Sequence, residues 1–475
     1  MSSSAYDSII VGAGIGGLVC GCYLAKNGLR TLIVEQSRQP GGCCTSFERN
    51  GYRFDVGVHY LGSIRRGILG EILRDLNIGI KLNHTDPTEK IILPDRITYI
   101  RQRPRDTIRE FKKTFAVESK NIDRFFKFIL SDDFLTACNK IKSLTFKQVL
   151  DSFFEDYRLK STLSLLIGNI GLSAATAAAI PSAVLFREYI LDSGHYPEGG
   201  MQSFPYKLCE MFKKRDGELL LNNRVKKIIR EGKAYKVVLD NKEEFTAKVI
   251  ISDVDATLLF NKLISKETAE KKIVKKMETS PSMFLLYLGI KGNLEKIYSE
   301  KCNLWYFCTY DIERIYQEMS YNIPKKIECL ACSFPSIHDQ ALENKNKGTM
   351  TLFMLAPYKD KGFWVKNKFL VGEMLIKKIE EIIPGLSKII ETRIHGTPFD
   401  LYSYTLNRNG AFVGWRSNLN QSKSSLLPQR TSLPGLYLVG HWCTMGYRGQ
   451  GGIPNVAFSG KRAAYLILKN HFKSH

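Results

Sequence analysis

The chain has 475 residues, enough for two cores, and its 44% hydrophobic and 24% charged residues exclude a disordered or fibrous protein. A formal net charge of +22 suits nucleic acid, an anionic membrane surface or acidic substrates as partners, or else reflects a Lys-rich solvated surface. No aromatic-and-basic motif of a nucleic-acid module accompanies that charge, so nucleic acid is set aside and weak attraction to a membrane surface is the better functional reading.

Residues 1–7 are short and polar and lead straight into an apolar run, which reads as a start without a secretory leader. Eleven cysteines, an odd number, then predict free thiols in a reducing cytoplasm. Residues 8–11 predict a buried parallel strand, followed by a glycine-rich turn and a helix over 15–27 with Gly28 as its left-handed cap. Residues 31–34 predict a second strand ending at Glu35, which completes a β-α-β unit.

Residues 104–154 read as helical, amphipathic and basic, with the densest charge at Arg101, Arg103, Arg105, Arg109, Lys112 and Lys113 and a further pair at Lys325 and Lys326. The uncharged stretch 161–186 contains Gly168, Asn169, Gly171 and Pro181, too polar for a membrane span, so it predicts a helical lining for an apolar cavity, with a shallow membrane dip as the alternative. From Glu218 the period changes to short strands at 218–221, 225–229, 235–239 and 249–251, with Asp240-Asn241 as a turn. Beyond 267, strands at 284–288 and 350–355 alternate with a helix at 370–383 that Pro384-Gly385 ends. A last buried strand at 435–439 leads into a glycine-rich loop and a helix over 455–470. The lone Cys329-Leu330-Ala331-Cys332 has no second pair, so no metal site is expected.

The opening loop Gly12-Ala13-Gly14-Ile15-Gly16-Gly17 follows a strand and opens a helix, and Glu35 stands 21 positions after Gly14. Each part has a task in holding a dinucleotide. Gly12 permits the turn, Gly14 lets the backbone approach a pyrophosphate, Gly17 lets helix and strand pack closely, and the helix N-terminus faces the phosphates. Glu35 is expected to accept both ribose hydroxyls, which disfavours a 2′-phosphate.

Further runs carry a family resemblance. Val34-Glu35-Gln36, Pro40-Gly41-Gly42-Cys43-Cys44-Thr45-Ser46-Phe47 and Gly51-Tyr52-Arg53-Phe54-Asp55-Val56-Gly57-Val58-His59-Tyr60 resemble the phytoene desaturase-type flavoproteins, in the branch of carotenoid isomerases and retinol saturases. Tyr196-Pro197-Glu198-Gly199-Gly200-Met201 resembles the family's mid-chain glycine pair, and the run that holds Val225 resembles the family's strand whose valine backbone meets the adenine. Gly440, then Gly449-Gln450-Gly451-Gly452-Ile453-Pro454, resembles the motif that closes over the flavin. Two departures are visible, Cys43 where many such proteins place a basic residue, and His441-Trp442 where many place an acidic one.

The resemblance implies FAD and an α/β fold, a Rossmann-like FAD-binding domain with an inserted mixed α+β substrate domain, the two-domain amine oxidase or phytoene desaturase-like arrangement. The FAD domain is expected from 1–95, 206–266 and 426–475, a helical substrate or membrane-facing region from 96–205, and the substrate domain from 267–425. The expected cofactor-binding residues are Gly12, Gly14, Gly16, Gly17, Glu35, Gln36, Gly41, Gly42, Val225, Gly440, His441, Gly452, Ile453 and Pro454.

The activity so implied is hydride transfer with a hydrophobic polyisoprenoid polyene, a carotenoid or retinoid, as desaturation, saturation or cis–trans isomerisation. A flavin amine oxidase or protoporphyrinogen oxidase-like enzyme is the alternative, and a non-catalytic prenyl-lipid carrier on the same scaffold is a second. His59, Tyr60 and His441 are the candidate proton handlers, each with a structural role as the competing reading. Glu198, His195, Cys43 and Cys44 have surface or packing roles as theirs. Residues 163–170, 174–179 and 284–287 are candidate channel walls. The expected setting is cytoplasmic with a peripheral hold on the inner face of a membrane, and the pattern names no electron acceptor or donor.

Overall fold

The apolar run that opens the chain becomes Ala5–Val11, the middle strand of a seven-stranded sheet. In this computed structural model, residues 5–339, 347–422, 427–444 and 451–472 are described. Ala5–Val11 pairs in parallel with Thr31–Val34 on one side and with Glu244–Ser252 on the other, and Glu218–Leu220 extends the first side in parallel. On its other edge Glu244–Ser252 serves two further neighbours. Residues 244–247 run antiparallel to Ala234–Leu239, while residues 250–252 run parallel to Leu436–Leu438. Val225–Glu231 completes the order, antiparallel to Ala234–Leu239. Chain start, middle and end thus meet in one sheet.

The helix Ile15–Lys26 is buried almost all round because it lies between that sheet and the last helix, Ile453–His471. An apolar circumference is what such a position requires. Close approach sets the contact. A methyl group on Gly460 would lie 2.9 Å from the backbone nitrogen of Cys20, and one on Gly17 would overlap the carbonyl of Gly12. Gly17 therefore has the helix–strand packing role that its motif assigns.

A second seven-stranded sheet runs in the order Ile390–Gly396, Ser282–Lys291, Lys347–Ala356, Cys329–Ser333, Asn303–Phe307, Glu89–Ile92, Ile97–Ile100. Glu89–Ile92, inside the 1–95 segment, pairs in parallel with Asn303–Phe307 and so belongs to this sheet. The basic helical region forms Pro104–Thr114, Ser119–Leu130, Phe134–Ile141 and Phe146–Phe153, and its Phe125, Phe126 and Phe146 pack with Phe186 of the helix Ala179–Asp192. Much of its charge is internally paired, Arg101 with Glu110, Arg109 with Asp106, and Lys112 with Asp123.

The uncharged stretch breaks into Tyr157–Leu165, a turn at Gly168–Ile170 and Ala179–Asp192. Among the described residues no helix is long and apolar enough to cross a membrane. The helix expected at 370–383 is instead Lys361–Ile382, nine residues longer at its start. Asp360 explains the difference, because its carboxylate accepts the Phe363 amide at 2.9 Å and caps a first turn that has no apolar period to betray it.

Candidate cofactor and substrate site

One cavity lies between the two sheets, lined by Gly12, Gly14, Glu35, Gln36, Gly41, Gly42 and Val225 from the first part of the chain. Gly440, His441, Gly452, Ile453 and Pro454 reach it from the chain's end, and His59 and Tyr60 lie along the same wall. Gly16 and Gly17 stand behind, in the helix packing. Gly449 and Gln450 lie outside the described residues.

The sequence folds locally to hold these positions. Glu35 ends its strand with Oε2 accepting the Ala13 amide and Oε1 accepting the Ser37 amide, both at 2.8 Å. Two backbone donors fix the carboxylate, and its remaining lone pairs stay open to the cavity. The Gly41-Gly42 turn is braced from a distant segment, since Gln202 Nε2 donates to the Pro40 carbonyl at 2.8 Å. Gly41 adopts φ +123°, a conformation closed to residues with a side chain. Asp55 ties two of the resembling runs together, accepting Ser46 Oγ at 2.6 Å, the Met201 amide at 3.2 Å and the Tyr196 hydroxyl.

The candidate proton handlers are enclosed. Burial pulls the His59 imidazole down to about 4 against a smaller opposing bond from Gly57, and pulls His441 down to about 4. Both are neutral at physiological pH. His59 stacks on Phe353 at 5.4 Å, and His441 meets Trp442 edge-on at 5.3 Å. The Tyr60 hydroxyl is already engaged, donating to the Thr88 carbonyl at 2.9 Å and lying 3.2 Å from His338 Nε2.

The remaining candidates separate. Burial pushes the Cys43 thiol up to about 11 and raises Cys44 as well, so neither is a thiolate. Glu198 pairs with Lys81 at the surface, and His195 is buried with its backbone bridged to Leu61. Cys329 and Cys332 lie three apart on a strand and so project to opposite faces, which prevents chelation. All eleven cysteines are free.

Beyond His59 and Tyr60 the cavity continues between the second sheet and the helices. Gly168, Asn169 and Ile170 line it as the uncharged stretch suggested, together with Leu185, Leu285, Phe307, Leu330 and Leu355. Residues 174–179 do not reach it. Tyr189 and Trp305 also face the cavity, and behind them sits Glu89, which is fully buried. Trp305 Nε1 donates to Glu89 Oε2 at 2.9 Å, and the Tyr189 hydroxyl bonds to Glu89 Oε1. Burial holds the Glu89 carboxyl up at about 8 in spite of those bonds. His338 and Asn303 extend the cluster, their side chains 2.9 Å apart.

Tyr189, Glu89 and Asp253 are not among the residues that the sequence singles out. Glu89 has no local pattern to mark it. Asp253 does, since it follows a parallel strand at the sheet's carboxyl end, where ligands of open α/β sheets bind. Its Oδ2 accepts the Gly17 amide at 2.9 Å, against the N-terminus of the helix Ile15–Lys26.

The cleft fits FAD on these grounds. The glycine loop, the Glu35 carboxylate and the C-terminal glycines, from separate chain segments, converge on one space. A methyl on Gly14 would intrude to 2.5 Å of Asp253 Oδ2, so only a glycine leaves that cradle open.

Comparison with known proteins agrees. The chain is 24% identical to all-trans-retinol 13,14-reductase of Rattus norvegicus, over 91% of this chain and 82% of that protein. It is 26% identical to the chloroplastic prolycopene isomerase of Arabidopsis thaliana, over 98% of this chain and 83% of that one. An oxidoreductase from Methanosarcina mazei shares the fold with a TM-score of 0.69 at 17% identity, covering 96% of this chain and 99% of its own. A model of the flavin containing amine oxidoreductases matches residues 15–281, more than half of the 475, so the chain belongs to that family of FAD-dependent oxidoreductases.

Proposed function

We propose that this enzyme acts on a hydrophobic polyisoprenoid polyene, a carotenoid or retinoid, by hydride transfer at the flavin. The observation that carries the reading is the apolar extension of the cofactor cavity, walled by Ile170, Leu185, Leu285, Phe307, Leu330 and Leu355. A long space with a mostly apolar lining suits a polyene, even with Asn169, Glu188 and Tyr189 among its wall residues. The relatives named as retinol reductases and prolycopene isomerases support the same substrate class. The carrier alternative is less well supported, because the glycines and Glu35 that would hold FAD line an open cleft.

Bound FAD supplies hydride acceptance when oxidised and hydride donation when reduced. The chain's residues exclude water, align the polyene and manage a proton. We assign the proton to Tyr189 backed by Glu89. The Tyr189 hydroxyl donates to Glu89 Oε1 at the cavity wall, so a neutral Glu89 stands beside the phenol oxygen as the group that returns a proton to it once the phenol has given one up. His59 and His441, both neutral, are assigned to shaping the flavin end, and Tyr60 to holding the wall through Thr88 and His338.

The test is incubation of the holoenzyme, oxidised and then reduced, with a panel of polyenes and amines, read by product mass. Loss of two hydrogens defines a desaturase, gain a saturase, and unchanged mass with altered retention an isomerase. Peroxide from an amine with every polyene untouched overturns the reading in favour of an amine oxidase. A purified chain that holds no flavin overturns it in favour of a carrier.

A further inference from the structure

The amide end of the helix Ile15–Lys26 already faces an anion donated by the chain itself. Asp253 follows the strand Glu244–Ser252, and its amide donates to the Val11 carbonyl at 2.8 Å, which anchors the residue beside the glycine loop. The carboxylate then turns under the helix, with Oδ2 on the Gly17 amide at 2.9 Å. Methyl groups on Gly14 and Gly16 would fall 2.5 Å and 2.9 Å from its oxygens, so the carboxyl abuts the glycine face that a pyrophosphate must approach.

We infer that Asp253 is a proton-linked ligand of the flavin pyrophosphate, sharing the helix amides with the phosphates in its neutral form and opposing them when ionised. The phosphates stay charged across the physiological range, and an ionised carboxylate at the same amides adds a like charge in a water-poor site. A neutral carboxyl instead donates its O–H to a phosphate oxygen.

The surroundings favour the neutral form. Burial, with a smaller contribution from Glu35 after Thr31–Val34, outweighs the amides of Gly17 and Gly14 and lifts the Asp253 carboxyl to about 7. The other titratable groups that sense it among the described residues are thiols, Cys20 on the helix, Cys43 in the glycine-pair loop and Cys443 in the C-terminal loop, with Arg462 acting on Cys443. Among the described residues, none of the groups acting on Asp253 is a cation that would hold it ionised. His59 and His441 titrate near 4 and Cys43 near 11, outside the window concerned.

Linkage then fixes the sign. Below about pH 7 the carboxyl is already neutral and FAD affinity is level. Above it, binding takes up one proton, so the Kd for FAD rises toward about tenfold per pH unit. The inference rests on the family's cofactor and is independent of the polyene reading. The experiment titrates the full-length chain, stripped of flavin, with FAD from about pH 6 to about pH 9, following flavin fluorescence. Asp253→Asn is measured in parallel, since its amide donates to a phosphate at every pH. The expected result is a Kd that climbs above neutrality in the wild type and stays level in D253N. Calorimetry of the wild type in buffers of different ionisation enthalpy must also show about one proton taken up on binding above pH 7. A level wild-type profile, the same slope in both proteins, or no proton uptake overturns the inference.

Discussion

Glu89 is fully buried, and its bonding partners, Tyr189, Trp305 and Asn303, are neutral. The folded chain therefore holds the carboxyl proton more tightly than the unfolded chain. Stability contributed by this group falls as pH rises from 4.5 to about 8 and is level beyond. Glu89→Gln keeps a neutral side chain of the same size that cannot ionise. Urea unfolding is expected to show E89Q gaining on the wild type by up to about tenfold in the unfolding constant per pH unit within that window. If the reaction adds a proton to the polyene, wild-type turnover declines above about pH 8, while Tyr189→Phe is slow at every pH by about a hundredfold. Equal stability profiles for E89Q and wild type contradict the buried neutral acid, and undiminished turnover in Y189F contradicts the proton route. None of this was legible in the sequence, because Glu89 and Trp305 are 216 positions apart and meet only through the pairing of two short strands.

Whole elements were read with more success where their signals are local. The β-α-β unit from Ala5 to Val34 carries its own punctuation, glycines where the chain turns and Gly28 at φ +77° where the helix stops. The final motif is similarly self-contained, with Pro454 in the first turn of Ile453–His471. The helix Lys361–Ile382 was found nine residues short because its beginning is set by a cap, and Val365, Phe369 and Leu370 on its first half are exposed rather than core-facing. Asp360→Ala is expected to cost about 1 kcal/mol of stability, measured by urea denaturation, with flavin content unchanged. A change below the error of that measurement sets aside the capping argument. Asp55 illustrates a different difficulty. Two runs that look like separate motifs, at 51–60 and 196–201, are joined by its carboxylate, and nothing in either run shows that they touch.

At the scale of the whole molecule, the cofactor cleft was legible from glycine spacing, whereas the substrate end was legible only as composition. Uncharged residues 161–186 suggested an apolar wall, and Gly168, Asn169, Ile170 and Leu185 do line one, but their partners Phe307 and Leu330 come from strands that no period connects to them. The net charge of +22 belongs to this scale too. A peripheral hold on anionic lipid is expected to appear as liposome binding at low salt that is lost at high salt, and absence of binding at low salt rejects that hold. The central claim is that the polyene occupies the far half of the cavity whose near half takes FAD. Leu185 faces that far half from the helix Ala179–Asp192, remote in sequence from every glycine of the cofactor cleft. The most direct test is polyene product formed per bound flavin in Leu185→Trp. The expected result is wild-type flavin content with product formation reduced by about tenfold or more. Undiminished product from a cavity so filled contradicts it.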